Sequence, residues 1–281
     1  MNKEIGSEVP HIIKHDELTE IFFKHWFLPW IFEEARNEVI DSQEQLSKVT
    51  KLGEAPLPTD FGDYTYIVYG DNRTGQHHNV LVFGDREQGS LGDGENILVR
   101  VHSACWTNEV AHASNCECRK EIQHSMEAIR HEQKGIIVYL DQEGRGVGIT
   151  GKMHQLDGMF EWKDGKIEQS RDENNQRVDT DKAYINAGYP SEVRDFAIAG
   201  EILASLGVKS VRLLTNNPIK IEGVESVGIE VTQVGIHIVP DNGIIASDLK
   251  SKAENLGHNI TEADYTMETG NYTEENYHSL D

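Results

Sequence analysis

Three cysteines form the residue group most able to carry chemistry. Cys105, Cys116 and Cys118 have the spacing C-x10-C-x-C and are the only 3 cysteines in the 281 residues. Three thiolates with a fourth position open to water are typical of a catalytic zinc site, because structural sites usually have four protein ligands. Zinc held in this way activates water near neutral pH and polarises the carbon that the water attacks. The spacing therefore favours metal-dependent hydrolysis.

Other interpretations of the cysteine cluster stay open at this point. His102 or His112 could complete a structural site, or the three thiols could be buried without a metal. A histidine three residues before Cys105 could also be a metal ligand itself. An odd number of cysteines within one short segment is a poor basis for disulfides, and it favours a reducing compartment.

The composition limits the kinds of partner. The chain has 26 Lys+Arg against 48 Asp+Glu, a formal net charge of −22. This balance argues against a nucleic-acid or anionic-membrane surface, both of which need broad positive potential, so an anionic small substrate would need a local basic pocket. No apolar run approaches the ~20 residues of a membrane-spanning helix, and the start lacks the features of a signal peptide. We expect a cytoplasmic protein.

The elements that must position the cysteines follow from the residue pattern. Short β-rich runs separated by Gly, Asp and Asn lie at residues 64–69, 79–83 and 97–102. Two helices, each followed by a strand, are predicted at residues 119–132 with 135–140 and at residues 193–206 with 210–214. This alternation predicts a mixed α/β or α+β fold.

We divide the chain into three parts. Residues 1–53 are predicted to be a helical N-terminal extension, residues 54–258 a single catalytic domain, and residues 259–281 an acidic, solvated and mobile tail. An apolar cluster in the extension is expected to pack on the domain or on a second subunit, with association at a membrane surface as the less favoured alternative. Residues 157–178 are strongly polar without a clear period, which predicts an inserted surface loop.

Further motifs surround the cysteines in a fixed order. They are Arg100-Val-His-Ser103, Gln142-Glu-Gly-Arg145, Arg194-Asp-Phe196 and Leu214-Thr-Asn-Asn-Pro-Ile-Lys220, with Pro56-Leu-Pro-Thr59 and Lys252-Ala-Glu-Asn-Leu-Gly-His258 at the two ends. An isolated Glu-Gly-Arg is a weak signal, but the ordered set with the cysteine spacing inside it is specific. The set resembles GTP cyclohydrolase II, the enzyme that starts riboflavin synthesis. The resemblance covers most of the predicted catalytic domain, and only the extension, the polar loop and the tail lie outside it.

The resemblance implies a reaction. Enzymes of this family use zinc and water to open the imidazole ring of GTP at C8 and release formate. They also release pyrophosphate, with Mg²⁺ assisting at the phosphates. Carried over to this sequence, it implies one zinc per chain, Arg194 as nucleophile toward the α-phosphate, Glu192 as proton acceptor and GTP as substrate. We also expect a homodimer.

The resemblance also implies which residues contact the substrate. They are Arg100, Val101, His102, Ser103, Glu121, Glu143, Gly144, Arg145, Thr180, Thr215 and Lys220. Arg145 and Lys220 suit phosphate oxygens, because a guanidinium is a planar fork and an ammonium a compact charge. The structural alternatives are surface ion pairs for the basic residues and, for Glu192 and Arg194, charges at a helix N-terminus.

Several positions depart from the family pattern. Ala104 stands where a Glu is usual, Asn115 replaces an Arg, Arg119 replaces a Gly, and Glu192 is longer than the usual Asp. Two other departures bear on the outcome of the reaction.

Glu121 replaces a glutamine expected at the substrate, and a carboxylate only accepts hydrogen bonds where an amide also donates. Leu156 is the nearest counterpart of a catalytic Tyr. We therefore expect slow formate release or a product that retains the formyl group, unless another group such as His154 substitutes. The rival hypotheses are a relative diverted to another nucleotide and a nucleotide-binding regulator without catalysis.

Overall fold

The computed structural model describes residues 48–84 and 91–265. The predicted extension up to residue 47 and residues 266–281 of the predicted tail lie outside the described residues. The nine strands of the described chain are β1 (Val49–Thr59), β2 (Gly62–Asp71), β3 (His77–Phe83), β4 (Ile97–Ser103), β5 (Gly135–Leu140), β6 (Phe160–Lys163), β7 (Lys166–Gln169), β8 (Ser210–Leu214) and β9 (Glu230–Val234).

Eight α-helices accompany these strands in the described part of the chain. They are α1 (Trp106–Glu109), α2 (Cys118–Glu132), α3 (Gly148–Met159), α4 (Thr180–Asn186), α5 (Ala197–Ser205), α6 (Pro218–Glu225), α7 (Gly243–Leu256) and α8 (Glu262–Tyr265). A single 3₁₀ turn covers Gly144–Gly146. Of the helices described, none combines the length and apolarity that crossing a membrane requires.

Seven strands form one mixed sheet in the order β1-β2-β3-β5-β4-β8-β9. Strands β1, β2, β3 and β5 pair with one another in antiparallel fashion. The pairs β5–β4, β4–β8 and β8–β9 are parallel. The carboxyl ends of β4, β5 and β8 therefore meet at one edge of the sheet, which is where ligands bind in open α/β sheets. The mixed α/β class predicted from the sequence is confirmed.

Helices cover both faces of the sheet. On one face, Ile198 and Ile202 of α5 pack against a core that includes Val99 of β4. On the other face, Ile129 of α2 packs with Leu98 of the same strand. Burial on both faces explains why β4 reads as a continuous apolar run at its start rather than as an alternating one. Each fully buried Ile or Leu contributes roughly 1.5–3 kcal/mol.

Two predicted boundaries are wrong. β1 begins at Val49, so residues 49–53 are a strand rather than helix, because the chain there pairs with β2 from Val49↔Asp71 onward. The helix predicted to begin at residue 193 begins at Ala197. Residues just before it are held in a loop, since the Val193 N–H donates to the Arg145 carbonyl at 3.1 Å.

The polar segment 157–178 contains more structure than the predicted loop. α3 continues to Met159, and β6 and β7 then form an antiparallel hairpin. Asp164 and Gly165 at its turn both have positive φ, 48° and 76°. An Asp-Gly pair is the preferred sequence for such a two-residue turn, so this dipeptide was the overlooked signal.

The start of the predicted tail is also ordered. The Asn259 N–H donates to the Asn216 carbonyl at 2.7 Å, and α8 follows at Glu262–Tyr265. The carboxylate of Asp264 accepts from the N–H and hydroxyl of Thr261 at 2.8 and 2.7 Å. The folded chain thus extends at least seven residues beyond the predicted boundary at 258, to residue 265.

Candidate active site

A cavity opens where β4 and β8 end. It encloses about 1040 Å³ of empty space, part of which is open to solvent. Most of the residues predicted for the site line it: Arg100, His102, Ser103, Cys105, Cys116, Cys118, Glu121, Glu143, Gly144, Arg145, Thr180, Arg194, Thr215 and Lys220. The fold therefore gathers motifs that are more than 100 residues apart in the sequence.

Two predicted site residues do not line the cavity. The side chain of Val101 packs in the hydrophobic core, because successive strand residues point to opposite faces; its carbonyl accepts a hydrogen bond from Lys220 Nζ at 2.9 Å. Substrate contact at Val101 therefore stays a prediction, and its side chain lies in the core. Glu192 lies behind Arg194 and contacts its guanidinium.

The three cysteine thiols lie together in the wall of the cavity. Their sulfurs all lie within 4.8 Å of one another, and Cys105 Sγ is 3.7 Å from Cys116 Sγ. In a tetrahedral site with Zn–S bonds of about 2.3 Å, two sulfurs are about 3.8 Å apart. The donor set and its spacing therefore fit a zinc ion.

One asparagine closes the loop that carries these cysteines. The amide nitrogen of Asn108 donates to the Cys116 carbonyl at 3.0 Å, and its oxygen accepts from the Arg119 N–H at 2.6 Å. Asn108 is a buried residue of α1, the short helix that begins directly after Cys105. It thus holds the start of α2, where Cys118 is the first residue, against the end of β4.

The electrostatics of the cluster call for a cation. Hydrogen bonds from the two other thiols lower the pKa of Cys105 to about 3, whereas bonds to Cys105 raise those of Cys116 and Cys118. Three thiolates this close repel one another unless a positive charge lies between them. Lys152 is buried nearby; burial opposes the shift, but the pKa of Lys152 is raised, foremost by Cys105.

Neither candidate histidine joins the cluster. His102 Nε2 donates to Glu109 Oε1 at 2.7 Å, and its Nδ1 accepts from Arg100 at 3.3 Å. His112 Nδ1 accepts from Arg119 at 2.7 Å. Among the residues described, only the three cysteines form a group that could hold a metal, so the fourth position is left for a non-protein ligand.

The cations Arg100, Arg194 and Lys220 also line the cavity. Lys220 is buried; burial, followed by the charges of Arg100 and Arg194, holds its pKa well below the usual range. Its ammonium lies 5.4 Å from the ring centre of Phe196. Positive charges this close to one another repel. A bound anion would offset that repulsion, so the group of cations forms a site that favours an anion.

The cations are held in place by hydrogen bonds. Arg194 Nε donates to Glu192 Oε1 at 2.7 Å, Nη2 contacts the second carboxylate oxygen, and Nη1 lies 3.4 Å from Ser103 Oγ. Burial opposes the effect, but these bonds hold the pKa of Glu192 below its usual range. Arg100 donates to Glu121 Oε2 at 2.6 Å and to the Leu214 carbonyl at 2.9 Å.

Arg145, which also lines the cavity, belongs to a separate network. Its guanidinium pairs with Asp181, and its backbone is left-handed, with φ 55°. Asp181 also accepts from the Ser251 hydroxyl at 2.9 Å. The structure thus ties the Glu-Gly-Arg motif to α4 and α7 rather than leaving Arg145 at the surface.

The remaining predicted contacts already have protein partners. Glu143 accepts from the Trp106 N–H at 2.7 Å and from the Gly144 N–H at 3.0 Å. Thr180 Oγ1 donates to Asp248 at 2.7 Å, and Thr215 Oγ1 accepts from the Asn217 N–H at 3.0 Å. These bonds fix the walls of the cavity in place.

Comparison with known proteins decides the family. Residues 50–235 match the family described as GTP cyclohydrolase II. The chain belongs to the GTP cyclohydrolase II family. This is a family of hydrolases, and the resemblance inferred from the motifs is confirmed.

Individual relatives agree with this assignment. Riboflavin biosynthesis protein RibBA of Phocaeicola vulgatus is 35% identical over 218 residues, which are 77% of this chain and 49% of the relative. RibBA of Bacillus mycoides is 36% identical over 210 residues, 75% of this chain and 48% of the relative. The chain thus spans about half the length of these RibBA relatives. GTP cyclohydrolase-2 of Actinobacillus succinogenes is 34% identical over 215 residues, 76% of this chain and 90% of the relative.

The departures from the GTP cyclohydrolase II pattern have structural counterparts. Leu156 is half-buried on α3 and does not line the cavity, and His154, the suggested substitute, is exposed, with Nδ1 2.9 Å from the Tyr189 hydroxyl. Ala104 and Asn115 do line the cavity. The position of His154 thus gives no support for its role as the missing proton donor.

Sequence reasoning missed several residues that line this cavity. Lys152, Tyr184, Asp248, Lys252 and His258 all line the cavity. Lys152 and Tyr184 have no local pattern that distinguishes them from surface or core residues. Lys252 and His258 lie in the terminal motif that was quoted, but the motif alone did not show that it folds back to the cysteines.

Proposed function

We propose that this protein is a zinc-dependent cyclohydrolase that opens the imidazole ring of GTP at C8 and releases pyrophosphate. One observation carries the proposal: a single cavity is lined by a three-thiol cluster and by the cations Arg100, Arg194 and Lys220, of which Arg100 and Lys220 are buried. A purine nucleoside triphosphate has both features that such a cavity needs, an electrophilic ring carbon and a polyanionic chain.

Cys105, Cys116 and Cys118 would hold the zinc. When bound, the ion supplies a Lewis acid and an activated water for attack on carbon. Lys152 adds a buried positive charge beside the thiols. Complete reaction at C8 consumes two waters, one to open the ring and one to release formate from the resulting formamide.

At the phosphates, Arg194 and Glu192 act together. In the proposed step, Nη1 of Arg194 attacks the α-phosphorus, the bond from the α-phosphorus to the oxygen that bridges to the β-phosphate breaks, and pyrophosphate leaves; Mg²⁺, when bound to the phosphates, would neutralise part of their charge. The proton lost by the guanidinium passes to Glu192, whose two oxygens already contact Nε and Nη2. Water later cleaves the phosphorus–nitrogen bond and regenerates Arg194.

A product survey tests the function directly. Zinc-loaded protein is incubated with each nucleoside triphosphate, and the products are identified by mass together with formate and pyrophosphate. We expect a ring-opened product from GTP. Ring opening of another nucleotide instead would support the diverted relative, and zinc binding with nucleotide binding but no product from any triphosphate would support the regulator.

A formyl-retaining product is the second candidate outcome. Two observations favour it: Leu156 does not line the cavity, and the Glu121 carboxylate is committed to Arg100. The same survey distinguishes it, because such a product retains one carbon and one oxygen of the formyl group and no formate appears. One zinc per chain, Mg²⁺, the homodimer and the cytoplasmic location stay predictions.

Lys220 predicts a proton linkage in GTP binding. Its pKa is low in the free protein, and phosphate charge would raise it, so binding takes up a proton. Affinity for GTP should therefore fall as the pH rises above the pKa that Lys220 has in the free protein. The affinity is measured at pH values where the triphosphate is already fully ionised, so that ionisation of GTP itself does not contribute. Calorimetry in buffers with different ionisation enthalpies reports the proton directly.

The matched variants for this linkage are Lys220→Arg and Lys209→Arg. An arginine at 220 stays charged and should flatten the pH dependence. Lys209 is an exposed lysine, 3.8 Å from Glu95, and its replacement should leave the curve unchanged. An affinity that stays constant with pH in the wild type would contradict the assignment of Lys220 to the phosphates.

A further inference from the structure

A buried tyrosine hydroxyl faces the cavity without a protein partner. Tyr184 lies on α4, is only 1% exposed and lines the cavity, and its Oη has no hydrogen-bond partner among the described residues. Leaving such a group unpaired costs about 1–3 kcal/mol. A native protein retains this cost where something outside the chain completes the bond.

The surroundings of Tyr184 place its hydroxyl in the working part of the cavity. Its ring lies 5.7 Å from the Arg145 guanidinium carbon. Gly144 has φ +62°, and a Cβ built there would lie 3.4 Å from Tyr184 Oη. The missing side chain of Gly144 therefore leaves the hydroxyl uncovered on that side.

The hydroxyl and the thiols share one charged neighbour, Lys152. Lys152 links the two groups, since its backbone nitrogen borders the same space beside Gly144 and its charge interacts with Cys105 and Tyr184. Burial, which outweighs the opposing charges of Lys152 and Arg145, raises the pKa of Tyr184. The phenol therefore keeps its proton at neutral pH and can donate it in a hydrogen bond.

We propose that Tyr184 is a substrate-contacting residue whose hydroxyl donates a hydrogen bond to the reacting purine ring in the cavity that the thiols line. The inference rests on the proposed function and adds a residue to it. Neither the cysteine nor the arginine motifs contain this residue. In the ring-opening step the tyrosine keeps its proton and orients the base, so no additional reactant is needed.

The test compares Tyr184→Phe with wild type on GTP. Removal of a single preorganised hydrogen-bond donor typically costs roughly 10²–10³-fold in turnover, and we expect the lower value, about 10²-fold, here. The turnover number for all ring-opened products together should fall by that factor, while pyrophosphate release and the thermal midpoint of unfolding change little. The zinc content should also be unchanged, because the phenol is not a ligand.

Tyr189→Phe is the matched control. Tyr189 lies outside the cavity, and its hydroxyl is 2.9 Å from His154, so its loss should not affect ring opening. If Tyr184→Phe keeps ring opening within twofold of wild type, or loses ring opening and pyrophosphate release equally, the inference is overturned while the proposed function stands. Wild-type protein that gives neither product from GTP overturns both.

Discussion

Cys116→Ser protein should bind no zinc and open no purine ring. Cys116 is buried in the centre of the cluster, 3.7 Å from Cys105 Sγ, and a serine hydroxyl is a poor replacement for a thiolate ligand. We expect about one zinc per chain in the wild type, none in the variant, and loss of ring opening to the detection limit. Metal analysis and product mass are measured on the same samples.

Two controls separate metal loss from misfolding. His112→Ala changes a histidine of the same loop that pairs with Arg119 outside the cluster, so this variant should keep its zinc. Wild-type protein stripped by a chelator should lose ring opening and regain it when zinc is added. Full ring opening with every metal removed would show that the thiols have another role.

Arg194→Ala should stop pyrophosphate release. The substitution removes the proposed attacking nitrogen and one of the cations that line the cavity, and it takes away the guanidinium partner of the half-buried Glu192 carboxylate. Loss of a single preorganised charge costs roughly 10²–10³-fold, and loss of the nucleophile should cost more. Pyrophosphate is measured by a coupled assay, and GTP affinity by calorimetry.

Arg194→Lys and Arg73→Ala complete this experiment. A lysine keeps the charge but cannot bond both oxygens of Glu192, so pyrophosphate release should stay low. Arg73 lies 2.9 Å from Asp195, next to the site but outside the cavity, and its removal should have little effect. Wild-type pyrophosphate release by Arg194→Ala would refute the assigned role, whatever happens at the ring.

The parts of the fold that were predicted well are those with a strong local pattern. β5 and β8 have the predicted bounds because each is a short apolar run between polar turns. The start of α5 was misplaced because Val193 and Phe196 continue the apolar spacing of the helix. A contact distant in sequence, Val193 N–H to the Arg145 carbonyl, decides the boundary instead.

The site was predictable as a set of motifs but not as a network. The spacing of the cysteines and the types of Arg194 and Lys220 indicate a metal and an anion. The sequence does not show whether Glu121 contacts the base of the substrate or neutralises Arg100. The ion pair between Arg100 of β4 and Glu121 of α2 is a contact between distant residues that no local pattern indicates. Tyr184 was missed for the same reason, since a tyrosine in a short helix usually indicates packing.

The last long helix is connected to the metal loop through a buried charge. Lys252 of α7 pairs with Glu117, which lies between Cys116 and Cys118 in the sequence. Lys252 also pairs with Asp248 at 3.0 Å. Burial raises the pKa of Glu117 to about 8, although Lys252 opposes the shift. The two effects are thermodynamically linked. A metal ion that orders this loop would also stabilise the packing of α7, and stable packing of α7 would in turn raise the affinity of the loop for the ion. If the loop holds zinc as proposed, zinc starvation in a cell would act beyond catalysis: it would loosen α7, expose that helix to proteases and lower the abundance of the protein.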